Sequence, residues 1–235
     1  MSTTFLVPCF NEELNISKTI KSILAAVKKL KINYQIIIVD DGSTDDTMKK
    51  ILRFKKRRGF IILKNKKNSG LGFSFKRGLK YANQKWIIMI PGDNDITSKY
   101  IANFIKEKDD YNLIIGFMKN MKNKRSFFRT FISNFFTYSA NFVFKKKFKY
   151  YIGIQVHNRK NLKKIKIIND NYLYQPEIFI KTINMYKTCK YINFKPKNRL
   201  YGNSKLFKLK NYLELINFFI KFLYFRFDKI NCKIK

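Results

Sequence analysis

The chain has 235 residues, enough for one α/β domain with a sizeable core, and its 46% apolar and 28% charged residues exclude a disordered tail or a collagen-like repeat. Lys and Arg number 50 against 15 Asp and Glu, a formal net charge of +35 that favours a polyanionic partner: nucleic acid, an anionic membrane surface or phosphorylated substrates. A/T-rich codons are a second source of the same excess, since they encode the Lys, Asn, Ile, Phe and Tyr that crowd this chain.

In chain order, residues 5–8 read as a short strand. Residues 16–30 follow as an amphipathic helix, with Ile16, Ile20, Ile23, Leu24 and Val27 at three- and four-residue spacing. Asn11 is expected to cap that helix, with acidic residues favouring its first turn. Residues 35–39 are a β-branched run of the kind buried on both faces of a parallel sheet. A turn at 40–43, a helix at 44–54, a strand at 60–63, a helix at 71–82 and a strand at 86–90 complete the first part. Three alternations of strand and helix predict a doubly wound, mostly parallel α/β sheet.

Beyond residue 110 the pattern is less regular. Residues 113–117 read as a strand and 118–124 as a polar basic loop. Phe128, Phe131, Ile132, Phe135 and Phe142 form an aromatic helix stripe with Arg125 and Arg129 at its start. Such a stripe is either core packing or an interfacial helix lying among lipid headgroups. Residues 174–186 read as a helix carrying Glu177, and 206–227 as a basic, apolar surface helix. No internal repeat is evident.

Cys9, Cys189 and Cys232 have no CxxC spacing and a single His157 accompanies them, so a zinc site or disulfide framework is not expected and a reducing compartment fits. His157 is read as a structural histidine. No leader-like N-terminus and no clean apolar run of 18 residues stands out, so neither a signal peptide nor a membrane span is expected.

In doubly wound sheets ligands bind beyond the carboxyl ends of the strands. Asn11-Glu12-Glu13, Asp40-Asp41 and Asp93-Asn94-Asp95 each follow a strand, so all three are expected on one edge. Each alone reads equally as a turn or a cap; together, in so basic a chain, they point to chemistry.

The residues Val7-Pro8-Cys9-Phe10-Asn11-Glu12-Glu13 and Ile36-Ile37-Ile38-Val39-Asp40-Asp41-Gly42-Ser43 resemble the family 2 glycosyltransferases, as do Asn68-Ser69-Gly70-Leu71-Gly72 and Ile90-Pro91-Gly92-Asp93-Asn94-Asp95. The segment from Arg199 to Lys205 (Arg-Leu-Tyr-Gly-Asn-Ser-Lys) is similar to one in the branch that transfers sugars to polyprenyl phosphates. The resemblance spans residues 5 to about 210. It implies a GT-A fold, Rossmann-like, over residues 1–210, with residues 211–235 as a basic, aromatic C-terminal helical extension at a membrane surface.

It further implies that Pro8, Phe10, Glu12, Val39 and Asp41 hold the nucleoside of a GDP- or UDP-hexose. Gly92 and Asp93 would meet the diphosphate, and Asp93 with Asp95 would hold Mg²⁺ or Mn²⁺, which bind through one or two carboxylates plus substrate phosphates. Arg199 and Lys205 would ligate the diphosphate, and Arg129 and Ser204 the acceptor phosphate. Pro91 stands where relatives carry the first carboxylate of the metal motif, and Lys149 where they often carry Asp. Asp93, Arg199, Lys205 and Glu177 are the catalytic candidates, Glu177 as the base if the acceptor is a hydroxyl. The expected activity is metal-dependent, inverting hexose transfer to a polyprenyl phosphate, by a peripheral protein at the cytoplasmic membrane face. The alternative is transfer to a glycan hydroxyl in polysaccharide or lipopolysaccharide assembly. More distant alternatives are a non-catalytic nucleotide-sugar-binding protein and a nucleic-acid-binding protein. Nucleic acid is not expected as a partner, because no nucleic-acid motif accompanies the charge.

Overall fold

A computed structural model of the protein describes residues 2–107, 111–118, 127–144, 147–186, 188–197 and 233–234. The elements in chain order are β1 (Ser2–Cys9), α1 (Ile16–Leu30), β2 (Asn33–Asp40), α2 (Thr47–Leu52), β3 (Phe60–Lys64), α3 (Leu71–Tyr81), β4 (Trp86–Met89), α4 (Ser98–Lys106), β5 (Leu113–Met118), α5 (Phe127–Val143), β6 (Gln155–Asn158), α6 (Arg159–Lys163), α7 (Tyr174–Tyr186), β7 (Thr188–Phe194) and β8 (Lys233–Ile234). The strands form one sheet in the order β3-β2-β1-β4-β6-β5-β7-β8. Every pairing is parallel except those of β6, which runs antiparallel between β4 and β5.

Alternation along the strands builds two faces. Phe5, Val7, Ile36, Ile38, Trp86 and Ile88 point to the side covered by α1, α2 and α4. Leu6, Ile37, Val39, Ile87 and Met89 point to the side where Phe75 and Leu79 of α3 and Ile178 of α7 pack. Ile36 through Val39 are all at most 1% exposed, as their unbroken β-branched run predicts for a strand covered on both faces. Gly78 lets α3 lie against this run: a Cβ there would stand 2.8 Å from Leu6 Cδ2 and 3.3 Å from Val39 Cγ2.

Helix α1 matches its predicted limits and buries Ile16, Ile20, Ile23 and Val27. Its start differs from expectation. Asn11 lies four residues before the N-cap, Asn15, and no acidic residue sits in the first turn. Asn15 makes no side-chain cap bond to the helix; its amide instead donates to Glu12 Oε2 (2.8 Å).

A third core forms where Leu113 and Ile115 of β5 meet α5 and α7. Tyr151 is its centre, with the rings of Phe136, Phe144, Phe148 and Phe179 at 6.0, 6.2, 5.6 and 5.2 Å. The helix at α5 is as predicted, but the described part of its aromatic stripe does not face the core. Phe136, Ala140 and Phe144 are the buried set, while Phe135, Tyr138 and Phe142 are exposed by 57, 72 and 78%. Both faces of α5 are apolar, so periodicity alone could not orient it.

Strands β6 and β7 and helices α4 and α6 have no counterpart in the sequence reading. The expected surface helix at 206–227 lies outside the described residues. Of the extension at 211–235 only Lys233–Ile234 is described, and it is strand, paired with Thr188 and Cys189 of β7. Among the described residues no helix is long and apolar enough to cross a membrane.

His157, on β6, is buried as expected of a structural histidine. Nε2 contacts Gln155 Oε1 (2.9 Å), and burial pushes its pKa down to about 3. An unfolded chain binds this proton near pH 6.5, so His157 adds stability above that pH that is lost as pH falls towards 3. Between pH 6 and pH 4 the unfolding free energy of the wild type should therefore fall by about 1 kcal/mol per pH unit more than that of His157→Gln. Urea titrations at several pH values check this; parallel pH profiles would contradict it.

Candidate active site at the carboxyl edge of the sheet

Because β2, β1 and β4 are parallel neighbours, their carboxyl ends deliver the three polar clusters to one edge, as the spacing predicted. The clusters are bonded to each other. Asn11 N–H donates to Ser43 Oγ (3.0 Å), and Asn11 Oδ1 accepts from Thr44 N–H (2.9 Å). Glu12 N–H donates to Thr47 Oγ1 (2.7 Å), Glu13 N–H to Asp45 Oδ2 (3.2 Å), and Glu13 Oε2 accepts from Asp46 N–H (3.1 Å). Residues 11–13 and 43–47 are thus zipped into one rim. Burial works against the charge of Asp45, but the Thr47 hydroxyl and the Thr47 and Glu13 amides hold its carboxyl below the usual range.

Pro8 and Val39 are cross-strand partners beneath this rim, and both are buried. Pro8 C=O accepts from Gly92 N–H (3.1 Å) and Gly92 C=O from the Thr19 hydroxyl (2.9 Å). A Cβ on Gly92 would lie 2.7 Å from Cys9 Cβ, so only glycine lets the chain leave β4 this close to β1. Asp93, Asn94 and Asp95 follow as a turn. Asn94 has φ +57°, and Asp93 Oδ1 accepts from Asp95 N–H (3.4 Å). Phe10, Glu12, Asp93 and Asp95 are all half-buried.

Asp41 is 5% exposed and its carboxylate is turned inward. Oδ1 accepts from Asn65 Nδ2 (2.6 Å) and Ser69 N–H (3.0 Å), and Oδ2 from Gly70 N–H (2.9 Å). This carboxylate therefore fixes the turn that opens α3. Asn65, Thr47 and the Ser69–Gly70 backbone organise the edge; Ser69 and Gly70 lie in a motif that the sequence singled out, whereas Asn65 and Thr47 were not among its candidates.

The other candidates divide. Glu177 is fully buried on α7, with its oxygens bonded to Ile168 N–H, Asn169 N–H, the Asn169 amide and Lys181. That is a structural tie, not a carboxylate open to a substrate. Arg129 falls on α5, with its side chain outside the described residues, as are Arg199, Ser204 and Lys205 entirely. The chain leading to them docks at the edge: Lys197 N–H donates to Asp95 C=O (2.8 Å) and its ammonium to Asn94 Oδ1 (3.4 Å).

Among the described residues no group of three or more His, Cys, Asp or Glu could hold a metal ion. Asp93 and Asp95 on one turn still fit a hard divalent cation whose remaining ligands come from substrate phosphates and water. A depression among the described residues lies at the opposite edge, beside Tyr34, Arg58 and Gln84.

The family model described as glycosyl transferase family 2 matches residues 4–195. An uncharacterised protein of Methanocaldococcus jannaschii is 32% identical over 162 residues, covering 64% of this chain and 67% of that one. A dodecaprenyl-phosphate galacturonate synthase of Rhizobium johnstonii is 23% identical over 185 residues, covering 75% of this chain and 53% of its own length. The chain thus spans about two thirds of one of these relatives and about half of the other. Among solved structures, Mycobacterium tuberculosis glucosyl-3-phosphoglycerate synthase, crystallised with Mn²⁺, UDP-glucose and phosphoglyceric acid, superposes with a TM-score of 0.71 at 16% identity, covering 94% of this chain and 79% of that one. That likeness establishes the GT-A fold.

Replacing Asp41 by Ala leaves the Asn65 amide and the Ser69 and Gly70 N–H groups without their charged acceptor, and should lower stability by roughly 1.5–3 kcal/mol. Chemical denaturation checks this; an unchanged midpoint would mean that the turn is held by other contacts.

Proposed function

The chain belongs to glycosyl transferase family 2 and is a glycosyltransferase, and on that premise we propose that it moves a hexose from a GDP- or UDP-sugar to a polyprenyl phosphate with inversion. The observation that carries the acceptor class is the shortage of a base. Between residues 111 and 213 the only acidic residues are Asp170 and Glu177. The first pairs with Lys76 (2.7 Å) and the second, buried, with Lys181. Transfer to a hydroxyl normally needs a carboxylate to take the proton, whereas a phosphate oxygen is already anionic and nucleophilic. The relative from Rhizobium johnstonii, a dodecaprenyl-phosphate galacturonate synthase, supports the same acceptor class.

In this reading Pro8, Phe10, Glu12 and Val39 surround the nucleoside. Asp41 serves it through the Ser69–Gly70 turn that it holds, since both its oxygens already accept protein bonds. Gly92 and Asp93 meet the diphosphate, with Asp93 and Asp95 as the residues that would hold Mg²⁺ or Mn²⁺. Bound there, the cation would offset charge on the departing nucleoside diphosphate. Arg199 and Lys205 neutralise the two phosphates, and Arg129 and Ser204 orient that of the acceptor. An acceptor phosphate oxygen forms the new bond to the anomeric carbon from the face opposite the leaving group. The bond from that carbon to the diphosphate oxygen breaks, its electron pair leaving with the nucleoside diphosphate, and no proton transfer is required.

The enzyme would work as a peripheral protein at the cytoplasmic membrane face. The exposed rings of Phe135, Tyr138 and Phe142 suit the headgroup boundary, and each Lys or Arg near an anionic surface adds about 1 kcal/mol.

The test is a transfer assay in membranes or detergent, with a panel of radiolabelled nucleotide sugars and undecaprenyl and dolichyl phosphates. Label should appear in an organic-extractable, mild-acid-labile lipid; label confined to glycan would replace this reading with a hydroxyl acceptor. Asp93→Asn should lower metal-dependent transfer at limiting Mn²⁺ or Mg²⁺ by roughly a hundredfold or more with the fold intact, and full activity would remove Asp93 from the metal site. Lys205→Ala should raise the KM for donor or acceptor, and unchanged kinetics would exclude it from phosphate binding.

A further inference from the structure

The Glu177 carboxylate, which the proposed transfer leaves without a chemical part, is the most heavily bonded acid in the described second half of the chain. Oε1 accepts from Ile168 N–H (2.8 Å) and Lys181, and Oε2 from Asn169 N–H (2.9 Å) and the Asn169 amide (2.7 Å). Lys181 also donates to Lys166 C=O (2.7 Å). Residues 166–169 are thereby strapped onto α7, although they carry no regular secondary structure of their own.

The strap continues onto α3. Asp170 C=O accepts from Phe73 N–H (3.0 Å), and its carboxylate pairs with Lys76 (2.7 Å). Contact between the two backbones is close. A Cβ on Gly70, where φ is +101°, would stand 2.5 Å from Asp170 O, and a Cβ on Gly72 would stand 2.4 Å from Asn169 O and 2.8 Å from Asn171 O. From the other side Asp41 takes the Ser69 and Gly70 N–H groups. The first turn of α3 is therefore clamped between Asp41 on the rim and the strap that Glu177 fixes.

We propose that Glu177 is a positioning residue for the donor: through the strap at 166–171 it sets the Ser69–Gly70 turn beside the nucleoside end of the edge, and it takes no proton. This rests on the nucleotide-sugar reading of the edge for its consequence, but not for its mechanics. The buried Glu177–Lys181 pair has the physical profile of such an anchor, since both partners are desolvated and loss of one strands the other. A glutamine at 177 keeps the shape but turns a donor towards Ile168 or Asn169, where only donors are found.

The experiment compares wild type, Glu177→Gln and Gly72→Ala in three readouts. These are amide hydrogen exchange, binding of UDP and GDP with Mn²⁺, and the pH profile of transfer at saturating donor. Gly72→Ala pushes on the strap from the opposite side, and carries the test if Glu177→Gln does not fold. Expected are about tenfold faster exchange at residues 69–73 with β1 and β2 unchanged, and a nucleoside diphosphate Kd raised about five- to tenfold. Transfer at saturating donor should stay within about threefold of wild type, with its pH profile unmoved, because no general base worth 10²–10⁴-fold has been removed. Unchanged exchange at 69–73 overturns the proposal. So does an unchanged Kd combined with a loss of transfer above about a hundredfold and a shifted or lost acidic limb, which would make Glu177 a base. If wild type binds neither UDP nor GDP, the donor reading fails, and hydrogen exchange alone still decides whether Glu177 positions the turn.

Discussion

Strands β2, β1 and β4 lie side by side in parallel and are covered on both faces, which leaves their polar continuations one place to go. A parallel pair must return through a crossover, so each strand ends on the same edge and each helix carries the chain back. The three carboxylate-bearing segments meet there because the hydrophobic runs before them are buried. Gly92, wedged against Cys9, and Gly78, under Leu6 and Val39, are where this close packing needs the absence of a side chain.

The same crossover organisation sorts charge. Lysines end the helices, Lys28 and Lys29 in α1, Lys49 and Lys50 in α2, Lys80 in α3 and Lys106 in α4, where they complement the partial negative charge of the helix end. Acids collect in the loops that follow β1, β2 and β4. A chain of net charge +35 thus keeps an acidic rim, and part of its basic excess has a local reason that requires no polyanionic partner. Within the rim the acids are arranged by backbone N–H groups and hydroxyls: Asp45 by Thr47 and Glu13, Asp41 by Ser69, Gly70 and Asn65. Their mutual repulsion is offset by those bonds, and the loops are rigidified in the process.

The two halves of the chain share side-chain cores, with Tyr174 against Phe75 and Phe194 against Phe104, and are also tied by backbone contacts at the edge. Asp170 C=O bonds to α3, and Lys197 N–H bonds to the Asp93–Asp95 turn. The segments that close the edge are therefore tied to the turns that would meet the donor. A glycosyltransferase gains from such ties, because transfer depends on holding donor and acceptor in line while water is kept from the anomeric carbon.

Much of this was legible in the sequence because it depends on local pattern. The β-branched run at 36–39, the three- and four-residue spacing in α1, and the acid clusters after strands foretold the doubly wound first half and the one edge on which those clusters meet; the motifs around Asp41 and Asp93 pointed to the family. Tertiary structure alone decided the rest. Strand β6 is four residues long and gains its place from partners on both sides, β4 and β5, far away in the chain. Helix α5 carries large aromatic residues on more than one face, so only its neighbours could choose Phe136, Ala140 and Phe144 as the inner one. Glu177 looked like a candidate base because it is one of two carboxylates in an acid-poor stretch. Lys181 stands four residues on along the same helix, a spacing the sequence shows, but only folding brings the Ile168 and Asn169 N–H groups onto the carboxylate and buries it.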